Sequence, residues 1–227
     1  YINADITNKE FYDRMRKGAS AKTAAINADS FACAFEPILQ EGKDILYIAF
    51  SSGLSTTVNS AHMAAEELKE KYPDRKIAIV DTLAASAGGG LMVYMAVAKK
   101  NEGASLEENA AYIASLIPQH CIWFTVDDLE YLKRGGRVSP LVAFAGGVLG
   151  IKPVLQMDDE GHLINVAKIR GKSNVVPALV KHLERDAENL KDSVVMVAHA
   201  DNPEGAEELK KAIKGKCKEI VMTDIGP

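Results

Sequence analysis

Two runs, DILYIAF (44–50) and KIAIVD (76–81), are apolar and rich in isoleucine, the first with Tyr47 and Phe50 besides, the composition of strands buried in a sheet. Residues 51–75 lie between them and carry a helical pattern from about Val58 to Lys71. Apolar strands alternating with helices of roughly ten to fifteen residues indicate βαβ units and a parallel sheet. The alternation continues through TLAASAGGG to the helix LMVYMAVAKK, and a further helix spans Leu106 to Leu116. Upstream, DITNKEFYDRMRKG reads as a capped helix: Thr7 and Glu10 have capping-box spacing, Phe11 and Met15 are i, i+4, and Gly18 stands at C′. A second helix, about Ser30 to Gln40, ends at Gly42.

The second half changes character. CIWFTV (121–126) reads as a strand, DDLEYLKRGG as a short helix and SPLVAFAGGVLG as an apolar helix. IKPVLQMD and LINVAKIR flank DEGH as a hairpin. A helix from about Val175 to Leu190, the strand SVVMVAHA, the helix EGAEELKKAIKG and the strand EIVMTDI complete the chain. The expected class is α/β in two domains, a parallel-sheet α/β domain over 1–117 and an α+β domain with a β-hairpin over 118–227.

Bulk properties narrow the partners. A net charge of −4 with no basic stripe makes nucleic acid a poor ligand. No run approaches the ~18 uninterrupted apolar residues of a membrane span; the longest, Leu141 to Ile151, is broken by Gly146, Gly147 and Gly150. No signal peptide opens the chain, and a cytoplasmic protein without stable membrane insertion is expected. Cys33, Cys121 and Cys217 lack disulfide-framework or metal-site spacing and are expected as buried free thiols. The five histidines show no ligand spacing, so no metal is expected.

Chemistry gathers in FSSGLSTTVNSA (50–61), where Ser51, Ser52, Ser55, Thr56 and Thr57 crowd the turn from a strand into a helix. A helix N-terminus offers unpaired N–H groups and the positive end of a dipole, and ligands of open α/β sheets collect at the carboxyl ends of strands. With no P-loop lysine and no Gly-x-Gly-x-x-Gly, a single carboxylate suits the loop better than a nucleotide phosphate. The competing reading is a plain N-cap, and the loop alone does not decide between them. AASAGGG (84–90), with Gly88 and Gly89, occupies the same place after the next strand; its glycines permit a ligand's close approach or merely tight helix packing. In LKRGGRVS, Lys133 and Arg134 fit a helix C-terminal cap, but Arg137 lies beyond the glycines; Arg170 ends an amphipathic strand. No nucleophile elbow or Ser-His-Asp set is evident.

FSSGLSTTVNSA resembles the DegV family's motif Ser-Ser-x-Leu-Ser-Gly-Thr-Tyr-x-Ser/Thr-Ala. KT at 22–23, LEYLKRGGRVS at 129–139, LGIKPVLQMDDEGHL at 149–163, KIRGK at 168–172 and HADNPEGAEEL at 199–209 match in family order across nearly the whole chain. The resemblance implies a two-domain binding protein, without cofactor or catalysis of its own, that holds one long-chain fatty acid. It presents the acid to a separate fatty acid kinase, which phosphorylates the carboxyl group. Carried across by motif, the carboxylate-binding threonine is Thr23 and the serine Ser55, with Ser51, Ser52, Gly53 and Thr56 as neighbouring loop residues. The Gly-Gly-Arg arginine is Arg137, and the arginine implicated in work with the kinase is Arg170.

The chain departs from the pattern in places. TAAI replaces Thr-Ser-Gln-Pro, and Thr56 replaces a glycine. The family's opening strand with Asp-Ser and its closing His-Thr-Gly-Pro-Gly have no counterpart here; since a missing strand would leave sheet edge unpaired, a trimmed chain is expected. Two other readings stand beside the carrier: a phosphotransferase related to the dihydroxyacetone kinase fold acting on a small carbonyl substrate, and a regulatory module with a vestigial pocket.

Overall fold

The computed structural model describes residues 5–127, 129–137 and 151–226. Helices α1 (Asn8–Arg16) and α2 (Ala28–Gln40) precede β1 (Ile45–Ala49), α3 (Thr57–Lys71), β2 (Ile77–Asp81), α4 (Ala87–Asn101) and α5 (Leu106–Leu116). There follow β3 (Trp123–Thr125), α6 (Glu130–Gly135), β4 (Ile151–Met157) and β5 (Leu163–Arg170). The last elements are α7 (Val175–Asp186), β6 (Val194–His199), α8 (Pro203–Ile213) and β7 (Glu219–Asp224). Contacts divide the chain into two units, one of residues 24–120 with 157–162, the other of 1–23, 121–156 and 163–227.

In the first unit β1 and β2 pair in parallel, from Ile45 opposite Ile77 to Ala49 opposite Asp81. Side chains alternate across a strand, so Ile45, Tyr47, Ile77 and Ile79 face one way and join Phe31, Phe35 and Leu39 of α2 and Ala61, Ala64 and Leu68 of α3. Leu46, Ile48 and Val80 face the other way and meet Met92 and Ala96 of α4 and Ile113 of α5. The Phe31, Phe35, Leu39 stripe has i, i+4 spacing, which puts three large side chains on one face of α2; each such burial stabilises by about 1.5–3 kcal/mol. The helix after β1 thus covers one face of the sheet and the helix after β2 the other. Where adjacent parallel strands send their helices to opposite faces, a crevice opens at their carboxyl ends.

Sequence-coded caps fix the helix ends. At α1, Gly18 (φ +94) donates to Met15 O and Ala19 to Arg14 O; at α2, Gly42 (φ +75) donates to Leu39 O and Lys43 to Ile38 O. Both are Schellman arrangements, in which the glycine takes the left-handed conformation a side chain would strain. Ser105 and Glu108 form a reciprocal capping box at α5. Ser105→Ala removes one half of that box and is expected to cost about 1 kcal/mol, read as a lower urea midpoint that Ser105→Asp restores.

In the second unit β3 pairs antiparallel with β4, and the strand order is β3-β4-β5. Strands β6 and β7 pair in parallel, Val194 opposite Glu219 through His199 opposite Asp224. Val197, Ala206 and Ile213 make the core of that pair with Val180, Leu183 and Leu209. Tyr12 of α1 donates to Ile225 O at 2.9 Å; burial, Asp201 and Asp224 raise its pKa. Trp123 stacks on His182, ring centroids 4.0 Å apart and planes 15° apart, with the Arg185 guanidinium 5.3 Å from its ring.

Several expectations need correction. The helix expected to reach Leu190 ends at Asp186: Ala187 is extended, and Leu190–Asp192 form a separate 3-10 turn. The cysteines are free but not buried: Cys33 and Cys121 are exposed and Cys217 is half-buried. Cys33 misses the core because it lies off the α2 stripe carried by Phe31, Phe35 and Leu39. The apolar helix expected over SPLVAFAGGVLG (139–150) lies outside the described residues.

Candidate functional site

The hydroxyl loop lies between β1 and α3, at the carboxyl end of β1, and its hydroxyls divide into two jobs. Ser51 is fully buried, at 0% exposure. Its N–H donates to Ala84 O (2.9 Å), and its carbonyl accepts from Leu54 (3.1 Å) and Ser55 (3.2 Å), which closes the turn. Its Oγ accepts from Gly53 N–H at 3.2 Å and donates to Gly161 O at 2.8 Å, across 110 residues of chain. The Ser52 N–H donates to Asp81 Oδ1 at 3.2 Å, and the same oxygen takes the Leu83 N–H at 3.2 Å. Ser51, Ser52 and Asp81 therefore hold the two strand-end loops side by side. Thr82 assists: its hydroxyl donates to Ala49 O (2.7 Å) and accepts from Ala84 (3.2 Å).

Ser55 and Thr57 do something different. Thr56 is the N-cap of α3 yet makes no side-chain cap bond; instead the Thr57 N–H donates to Ser55 Oγ at 3.2 Å. The two hydroxyl oxygens, Ser55 Oγ and Thr57 Oγ1, lie 2.8 Å apart. One hydroxyl hydrogen serves that contact, so the other of the pair remains to be donated outward. This donor stands at the N-terminus of a fifteen-residue helix, where the dipole favours an anion. Thr56, in the position of the family glycine, is exposed at φ −77, a conformation that demands no glycine.

Opposite, the loop after β2 is strained. Leu83 (φ 51) and Ser86 (φ 50, ψ −129) both sit at positive φ, a cost that persists where surrounding structure overdetermines it. Ser86 begins α4 without a side-chain cap bond. Gly88 is buried, and a Cβ added at Gly89 would meet nothing within 4 Å among the described residues. Beyond them α4 exposes Val93, Tyr94 and Val97, and Phe50 is exposed beside Ser51.

Thr23, Arg137 and Arg170 belong to the other unit. Thr23 is exposed in irregular chain. The Arg137 guanidinium donates to Gly135 O. Arg170 ends β5, exposed, and its carbonyl accepts from Asn174 Nδ2 at 2.8 Å. Sequence reasoning missed three contributors: Thr57 as the hydroxyl partner of Ser55, Asp81 as the brace for Ser52, and Gly161 as the anchor of Ser51. An acidic residue closing an apolar strand was the available signal for Asp81, and Thr57 stood in the hydroxyl cluster without its pairing being marked; nothing local marked Gly161. No group of His, Cys, Asp and Glu among the described residues could hold a metal ion. No helix among them is long and apolar enough to cross a membrane.

The fold is mixed α/β, with parallel sheets and a separate antiparallel sheet, and a strand-end hydroxyl loop at the crevice. Solved proteins share it. A DegV family protein from Thermus thermophilus, described by its fatty acid binding, superposes with a TM-score of 0.77 at 31% identity, over 97% of this chain and 78% of that one. The Streptococcus pneumoniae Fatty Acid Kinase (Fak) B3 protein, loaded with linoleic acid, is a likeness of fold: TM-score 0.85 at 24% identity, over 98% of this chain and 78% of that one. A DegV domain-containing protein of Clostridium perfringens is 42% identical over 227 residues, 99% of this chain and 78% of its own. Residues 1–227 match the family model described as "Uncharacterised protein, DegV family". The chain belongs to the DegV family.

Proposed function

We propose that this protein binds a long-chain fatty acid, whose carboxylate takes the unspent hydroxyl hydrogen of the Ser55–Thr57 pair, with Thr23 as the second hydroxyl ligand. The observation that carries the reading is that pair, 2.8 Å apart at the N-terminus of α3. A carboxylate buried without a full counter-charge needs several hydrogen bonds, and hydroxyls at a helix N-terminus supply them without a cation. The acyl chain adds about 0.8 kcal/mol for each buried CH₂, and the exposed Val93, Tyr94 and Val97 of α4 offer apolar surface for it. The fatty acid binding of the Thermus thermophilus relative supports the same ligand class.

The role is that of a carrier, which hands the acid to a separate fatty acid kinase and performs no catalysis itself. The name of the Streptococcus pneumoniae protein ties one protein of this fold to such a kinase, and the exposed Arg170 is the residue we assign to that encounter. Native mass spectrometry of gently purified protein should show the added mass of one long-chain fatty acid. Apo protein that also refuses added oleate and palmitate would sink the reading, and turnover of ATP by the isolated protein would favour the phosphotransferase instead.

A further inference from the structure

The hairpin between β4 and β5 is shared between the units: its strands group with one, its tip, residues 157–162, with the other. The tip is internally braced, since Asp158 Oδ1 accepts from Glu160 N (3.0 Å) and His162 N (2.8 Å), and Gly161 N–H donates to Asp158 O (3.0 Å). It lies directly against the hydroxyl loop. Three observations locate the seam. Buried Ser51 Oγ donates to Gly161 O. A Cβ at Gly53 would come within 2.5 Å of Glu160 O and 2.8 Å of Gly161 C. A Cβ at Gly161, which sits at φ +78, would overlap Ser51 Oγ and lie 3.2 Å from Leu83 Cα. At Gly53 the obstacle is backbone and at Gly161 it is the buried Ser51 hydroxyl, so neither glycine tolerates a side chain without displacing the loop.

Ser51 is also the residue whose carbonyl takes the Ser55 N–H and whose Oγ takes the Gly53 N–H. The tip holds Ser51, Ser51 closes the turn, and the turn places Ser55 over the start of α3. We propose that the hairpin tip is a positioning element for the ligand-binding serine, with Gly161 and Ser51 as positioning residues acting through Ser55. The assignment rests on the carboxylate reading of Ser55 for its effect on affinity, but its structural half stands apart from any ligand.

The test therefore has two readouts. In ligand-free protein, Ser51→Ala and Gly161→Ala should speed amide hydrogen exchange at residues 53–57. Unchanged exchange there in both variants overturns the proposal, whatever the protein binds. By calorimetry with oleate, Ser51→Ala should weaken binding about tenfold, the loss of one hydrogen bond's worth of positioning. That loss should vanish when the same change is made in a Ser55→Ala background. A loss of equal size in both backgrounds would show Ser51 acting elsewhere and overturn the proposal. Wild-type protein that refuses oleate while its variants still loosen residues 53–57 would refute the ligand and retain the positioning role. Should Gly161→Ala fail to fold, Ser51→Ala, which only deletes an oxygen, carries both readouts.

Discussion

Between pH 7 and pH 4 the unit that contains β1 and β2 is expected to lose about 3 kcal/mol of stability through His120 alone. Burial lowers the pKa of this histidine from 6.5 to about 4, and its Nδ1 is buried with no hydrogen-bond partner among the described residues. In the unfolded chain the imidazole takes a proton near its ordinary value; in the folded chain it refuses one until about pH 4. Within that window the unfolded state binds more protons, so stability falls as pH falls, then levels off below the folded pKa. Each unit of pKa is worth about 1.4 kcal/mol, which sets the size of the loss. Urea unfolding followed by far-ultraviolet circular dichroism at pH 7, 5.5 and 4 would measure it. His120→Gln has no proton to take, so the gap between wild type and variant should shift by about that amount across the series. A gap that stays constant with pH would refute the assignment.

Ser55→Ala is expected to weaken fatty acid binding by roughly ten- to a hundredfold, the range of a hydrogen bond to a charged group. The change deletes the oxygen that accepts the Thr57 N–H and contacts Thr57 Oγ1. It thereby leaves one hydroxyl where there were two, without the contact that orients it. Titration of oleate against the wild type, Ser55→Ala and the surface control Ser115→Ala would measure it. Equal affinities for all three proteins would remove Ser55 from the site.

Much of the fold was legible because its signals are local. DILYIAF and KIAIVD became β1 and β2 since apolar runs of that length satisfy both faces of a covered sheet. Thr7, Ser105, Gly18 and Gly42 sit where capping chemistry requires them. The site was legible only in outline. The hydroxyl cluster announced itself, but the division of labour within it depends on Ala84, Asp81 and Gly161, all remote in sequence. Among its members the cap-like duty falls to Ser55 rather than to Thr56 or Thr57, because the Ser51 turn brings Ser55 Oγ to the first N–H of α3. Gly161 lies within DEGH, which the sequence marks only as the turn of a hairpin. Its second role, accepting from a buried serine, leaves no trace in the turn's own sequence. The exposed Cys33 shows the converse failure, where residue type suggested burial and helix phase decided against it.

The packing of Trp123 against His182 and Arg185 has a spectroscopic consequence. The protein contains a single tryptophan, and it lies in the unit that does not hold the hydroxyl loop. Its emission is therefore a built-in gauge of one unit's state, sensitive to the ring and the guanidinium on its two neighbours. A change in that emission when a ligand is added reports on the unit that lacks the hydroxyl loop, without any label.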